Sequence, residues 1–68
     1  MELQIEPERE EAGRWIADVA ALPGVMACGS MPVDAVARVK ALAFRVLADR
    51  IEHGEHVLDL DHVLFVAA

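Results

Sequence analysis

The chain has 68 residues, which allow one domain with a thin core, and its single cysteine, Cys28, excludes an internal disulfide and a cysteine-based zinc site. Twelve acidic against six basic residues give a net charge of -6, which disfavours direct binding of nucleic acid and favours a basic protein partner. No apolar run reaches the roughly 18 to 20 residues of a membrane span, and the acidic start differs from a secretory signal, so we expect a cytoplasmic protein that does not enter membranes.

The first fifteen or so residues predict one arm and the turn of a β-hairpin. Leu3 and Ile5 alternate with polar residues, as in a strand with one buried face, and Pro7 is predicted to end that strand. The run 8–13 has no apolar periodicity and closes on a glycine, which indicates a solvated turn.

A second strand is predicted to start at Arg14, and residues 22–24 break it because proline and glycine interrupt a ladder. Residues 25–28 predict a third strand. The core side of the second strand is predicted from its alternation to carry Trp15, Ala17 and Val19. Trp15 could instead anchor an interface, where tryptophan is enriched.

One long amphipathic helix is predicted between residues 33 and 53. Pro32 suits the first helical position, Asp34 complements the helix dipole, and Gly54 fits the position just past the end. The predicted solvent stripe contains Asp34, Arg38, Arg45, Asp49 and Glu52. Within it, Asp34 and Arg38 are predicted to form a charge pair, and so are Arg45 and Asp49, because each pair is four residues apart. The predicted core side contains Val36, Val39, Ala43, Val46 and Leu47, with Phe44 and Ile51 at its border. Lys40 falls within the apolar arc, so its stem is predicted to run along the core edge or to meet an acid across an interface.

Residues 57–66 predict a last strand covered on both faces, because they end in a continuous apolar run. The predicted fold class is therefore α+β: a small antiparallel sheet of three to four strands with one long helix on one face, in the order βββαβ and within a single domain, 1–68.

Turn and packing residues along the chain form a recognisable pattern. The segment Gly-Arg-Trp-Ile-Ala-Asp-Val-Ala-Ala-Leu-Pro-Gly, followed after four residues by Gly-Ser-Met-Pro-Val-Asp-Ala, resembles the N-terminal domain of HicB-like antitoxins. The residues that carry this resemblance are Gly13, Trp15, Ala17, Leu22, Pro23, Gly24, Gly29, Asp34 and Ala35. Ser30 and Met31 depart from the family's usual Asp and capping Thr.

The resemblance implies a degenerate RNase H-like domain that neutralises HicA, a small mRNA-cleaving toxin, without catalysis and without a cofactor. It also implies that an acidic surface covers the toxin's RNA-binding surface, and the candidate contacts are Glu6, Glu8, Glu10, Glu11 and Asp18. HicB antitoxins often continue into a DNA-binding segment, and operator binding is not expected of these 68 residues.

Each of these hypotheses has an alternative. The acidic run 8–11 could be a solvated loop that only keeps the protein in solution. A metal-dependent hydrolase is the weakest alternative, and its ligands would come from His53, His56, Asp59, Asp61 and His62. Cys28 has no predicted base beside it, so we expect a small packed residue and no nucleophile.

The apolar share of 56% is high for so small a domain, and its thin core cannot hide all of it. We therefore expect a homodimer or a higher oligomer. This excess also gives the alternative function, a homo-oligomeric structural or regulatory protein of HicB-like fold with no toxin partner.

Overall fold

A computed structural model of the chain describes residues 1–55 and 62–67. The predicted α+β class is confirmed: a four-stranded sheet has the order β3-β2-β1-β4, and one helix crosses it. The elements are β1 (Glu2–Arg9), a short 3-10 turn (Glu11–Gly13), β2 (Trp15–Val19), β3 (Met26–Gly29), α1 (Pro32–Glu52) and β4 (Leu64–Ala67). Within the described ranges, no helix has the length and apolar character needed to cross a lipid bilayer.

The sheet is mixed, so the prediction of an antiparallel sheet is wrong for its last strand. β1 pairs with β2, and β2 with β3, in antiparallel fashion, whereas β4 runs parallel to β1. The physical reason is the helix, because a strand that follows a helical crossover runs in the same direction as the strand before it. β3 is parallel to β1, and α1 brings the chain back so that β4 shares that direction.

Pro7 does not end the first strand, contrary to the prediction. β1 continues to Arg9, and Pro7 lies opposite Ala17 of β2. The Glu10 amide donates to the Arg14 carbonyl at 2.7 Å, so these two residues form a hydrogen-bonded pair. Hydrogen-bonded and non-hydrogen-bonded pairs alternate along an antiparallel ladder, and the pair of Pro7 and Ala17 is therefore non-hydrogen-bonded. Among the described residues, β4 pairs with β1 from Glu2 to Ile5, so within this part of the sheet proline removes no hydrogen bond.

β4 is an edge strand, and the prediction that the last strand is covered on both faces is wrong. The side chains of Leu64 and Ala67 are exposed, and those of Phe65 and Val66 are half-buried. α1 covers one face of the sheet and no element covers the other among the residues described. Of the predicted range, 57–61 lies outside the described residues.

The core lies between the sheet and α1, as the alternation predicted for β1 and β2. Trp15 is half-buried and packs against the edge of this core, on the predicted side of β2. The fully covered side chains are Leu3, Ile5, Ala17, Val19, Leu22, Val25, Ala35, Val39, Ala43 and Leu47.

The ends of α1 agree with the prediction to within one residue. Pro32 occupies the first turn, and the cap residue Met31 makes no side-chain hydrogen bond. At the other end the Gly54 amide donates to the Ile51 carbonyl and the Glu55 amide to the Arg50 carbonyl, which is a Schellman motif. Gly54 has a φ of 75°, so glycine is favoured at this position.

The predicted charge pairs on α1 are wrong, although the predicted solvent stripe is exposed. Arg38 donates to the carbonyl of Cys28 at 3.0 Å, and Asp34 accepts from the Ser30 hydroxyl at 3.4 Å. The Asp49 carboxylate lies 3.3 Å from the His53 ring. A backbone carbonyl at the edge of β3 competes for the arginine, which helical spacing alone does not reveal.

Candidate functional site

Three of the predicted contact residues meet on the sheet face that α1 leaves open. Because strand side chains alternate, the pairing register places the even-numbered residues of each strand on this outer face. The outer face consists of Glu2, Gln4, Glu6, Glu8, Ile16, Asp18, Met26, Cys28, Leu64 and Val66.

The centre of the outer face is acidic. Glu6 lies directly opposite Asp18 in the ladder between β1 and β2, and Glu8 is the next outward residue along β1. With Ile16 and Met26, these three acids surround a shallow cavity of about 110 Å³. Like charges placed directly opposite each other destabilise a sheet, so this pairing opposes folding and favours any cation that reaches it.

Apolar side chains flank the acidic centre on both sides. Met26 on β3 is 50% exposed and Leu64 on β4 is 55% exposed, while Ile16, Cys28 and Val66 are half-buried. None of the strand residues of the outer face is basic. The outer face therefore combines negative charge with exposed apolar area.

The structure divides the five predicted contact residues into two groups. It brings together Glu6, Glu8 and Asp18 on the outer face. Glu10 forms a salt bridge of 3.1 Å with Arg14, so its charge is partly compensated within the chain. Glu11 is exposed in the 3-10 turn at the tip of the hairpin and does not belong to the cavity.

The residues on which the sequence analysis based its resemblance lie in turns and packed contacts of the fold. Gly13 and Gly24 have positive φ in the two turns, where Pro23 is exposed, and Leu22 is buried beneath the second turn. Trp15 and Ala17 face α1, Gly29 and Ala35 touch where β3 meets the helix, and Asp34 accepts from Ser30 in the first turn.

The metal alternative receives no support from the described residues. They contain no group of three or more His, Cys, Asp or Glu side chains placed to hold a metal ion. His53 lies at the end of α1 with its Nδ1 atom 2.8 Å from the Asp49 carbonyl oxygen, and the His62 carbonyl accepts from the amino terminus. His56, Asp59 and Asp61 lie outside the described residues.

Sequence reasoning missed a second exposed surface, on α1. Phe44 and Ile51 were predicted at the border of the core, but they are 53% and 49% exposed, and Val33 is 66% exposed. We call the exposed apolar row that contains them the helix stripe, and it consists of Val33, Ala37, Ala41, Phe44, Ala48 and Ile51. Its signal was present in the sequence, because an apolar arc wider than a thin core can cover leaves one side exposed.

Comparisons of the chain with protein family models, with curated proteins and with solved structures give no significant match.

Proposed function

We propose that this protein is an antitoxin-like binding module that neutralises a small HicA-like ribonuclease by covering its RNA-binding surface. The observation that carries the proposal is the meeting of Glu6, Glu8 and Asp18 on an open sheet face whose strand residues include no basic side chain. In this proposal the protein acts in the cytoplasm, holds no cofactor and catalyses no reaction.

The chemistry of the proposed target supports this assignment. A ribonuclease that binds an RNA backbone needs a basic surface, and carboxylates that occupy this surface exclude phosphates both sterically and electrostatically. The net charge of -6 would also accelerate the encounter with a basic protein.

The acidic centre and its apolar flanks have different roles in the proposed complex. Glu6, Glu8 and Asp18 pair with lysine or arginine of the toxin, while Met26 and Leu64 supply the apolar area that excludes water around those pairs. Glu10 and Glu11 lie at the hairpin and contribute to steering rather than to the closest contacts.

Growth rescue tests the proposal. The protein is expressed together with a small basic HicA-like ribonuclease, and growth is compared with expression of the toxin alone. We expect rescue by the unchanged chain and loss of rescue by the triple variant Glu6→Gln, Glu8→Gln and Asp18→Asn, at equal protein levels.

The matched control removes the same number of charges from the helix side: Asp34→Asn, Asp49→Asn and Glu55→Gln, all of which are exposed. This control should rescue growth as well as the unchanged chain does. Equal loss of rescue in both triple variants would point to net charge alone, and rescue by the outer-face variant would contradict the proposal.

A second candidate function is favoured by the helix stripe. A homo-oligomeric structural or regulatory protein would use this exposed apolar row for self-association, with no toxin involved. Absence of growth rescue, together with a stable oligomer, would favour this function over toxin neutralisation.

A further inference from the structure

The helix stripe has the spacing of a helix-pairing seam. Ala37, Ala41, Phe44, Ala48 and Ile51 follow one another at intervals of four, three, four and three residues, which is the spacing of the a and d positions of a heptad. These side chains are exposed and lie outside the buried row of α1, and Phe44 borders the sheet where its ring reaches Phe65 of β4. The sheet already covers the separate buried row of Ala35, Val39, Ala43 and Leu47.

Phe44 is held in place although half of it is exposed. Its ring meets the ring of Phe65 edge to face, with centroids 5.3 Å apart and an interplanar angle of 85°. The exposed side of a fixed aromatic ring loses little side-chain entropy when a partner covers it.

The sizes of the side chains on the stripe favour a second copy of the same chain. When two such helices run antiparallel with Phe44 against Ala48 of the second copy, Ile51 falls against Ala41 by the same heptad register. Each large side chain then faces an alanine, which lets the two helices approach closely and leaves no gap beside the ring. A parallel pair would place Phe44 against Phe44 and Lys40 beside Arg45.

The charges beside the stripe agree with the antiparallel register. On one flank, Arg38 of each copy comes opposite Glu52 of the other, and the two-fold axis produces this pair twice. Arg45 of the two copies approach each other at the axis, which is one like-charge contact against the two pairs of Arg38 with Glu52.

From these observations we infer that the protein forms a two-fold symmetric dimer through antiparallel α1 helices, with Ala41, Phe44, Ala48 and Ile51 at the centre of the interface. This surface lies on the opposite side of the molecule from the outer face. The inference therefore does not rest on the proposed function, and the dimer leaves both outer faces open for other partners.

Sedimentation equilibrium of the full chain tests the inference over micromolar to millimolar concentrations. We expect a species of twice the 7.4 kDa chain mass for the unchanged protein. Ala48→Glu should raise the dimer dissociation constant at least about tenfold, because it places a charge against Phe44 of the second copy. The same change at exposed Ala20, in the turn after β2, should leave the dissociation constant unaltered.

Charge reversal tests the register. Arg38→Glu and Glu52→Arg should each weaken the dimer, and the double reversal should restore it. If Arg38→Glu acted only by removing the contact of Arg38 with the Cys28 carbonyl, the second reversal would not restore the dimer. Circular dichroism of every variant verifies that the fold is retained. A monomer at all concentrations, an unaffected Ala48→Glu variant or a double reversal without recovery would each overturn the inference.

Discussion

Gly29 and Ala35 lie in direct contact where β3 passes into α1. A Cβ atom built on Gly29 would come within 2.7 Å of the Ala35 backbone nitrogen and 2.9 Å of the Asp34 Cβ atom. Both distances are shorter than van der Waals contact. The nitrogen belongs to the backbone of α1, and a shift of this helix would disrupt its packing against the sheet. These two residues, one at the end of β3 and the other in the first turn of α1, therefore set how closely the start of the helix approaches the sheet.

Gly29→Ala should lower the free energy of unfolding by about 1 to 3 kcal/mol, because the added methyl group overpacks this contact. Urea denaturation measures the change. Gly24→Ala is the matched control, since nothing lies within 4 Å of its added Cβ and its cost of about 1 kcal/mol comes only from the positive φ. A smaller loss for Gly29→Ala than for Gly24→Ala would contradict this account of the contact.

Leu3→Ala should destabilise the protein by about 2 to 5 kcal/mol, because it empties a fully buried position between β1 and α1. Leu64→Ala makes the same chemical change on the neighbouring strand, where the side chain is 55% exposed, and should cost less than about 1 kcal/mol. Thermal and urea unfolding of both variants provide the comparison. Similar losses would mean that the core does not lie where the burial of Leu3 places it.

Lys40 should contribute to stability through the Phe65 ring, because its Nζ atom lies 5.6 Å from the ring centroid. Lys40→Gln is expected to cost about 0.5 to 1 kcal/mol, the usual range for a cation above an aromatic face. The same substitution made in a Phe65→Leu protein should cost less, and the difference in a double-mutant cycle measures the interaction. An equal cost in both backgrounds would assign the effect of Lys40 to its aliphatic stem.

Glu6→Gln and Asp18→Asn should each raise the melting temperature by about 1 to 3 °C, because each change removes a like charge directly opposite another across the ladder. Calorimetry of the free protein at low ionic strength measures the effect, which should shrink as salt is added. Glu55→Gln, on an exposed residue after α1, is the control and should change the melting temperature less. A decrease for both outer-face variants would show that the acids stabilise the free protein.

The sequence predicted the parts of the fold that depend on local signals. Pro32 and Gly54 mark the ends of α1, because one suits the first turn and the other the left-handed position after the last turn. The alternation of Leu3 and Ile5 identified the buried side of β1.

The errors concern long-range pairing. The direction of β4 depends on where the crossover returns the chain, and the tolerance of Pro7 depends on how far β4 extends along β1. Arg38 donates to the Cys28 carbonyl and does not pair with Asp34. Only the packed structure brings that carbonyl near the arginine. Likewise, the alternation placed Glu6 and Asp18 on the outward sides of separate strands, but only the register of β1 with β2 makes them neighbours.

The central claim is that the acidic centre of the outer face binds a basic protein partner. Isothermal titration calorimetry with a purified small basic HicA-like ribonuclease tests it most directly, using the unchanged chain, the outer-face triple variant and the helix-side triple variant. We expect the outer-face substitutions to raise Kd at least about a hundredfold, as losses at a few central contacts typically do, and the helix-side substitutions to change it by less than about fivefold. Equal affinities for the two triple variants would contradict the claim.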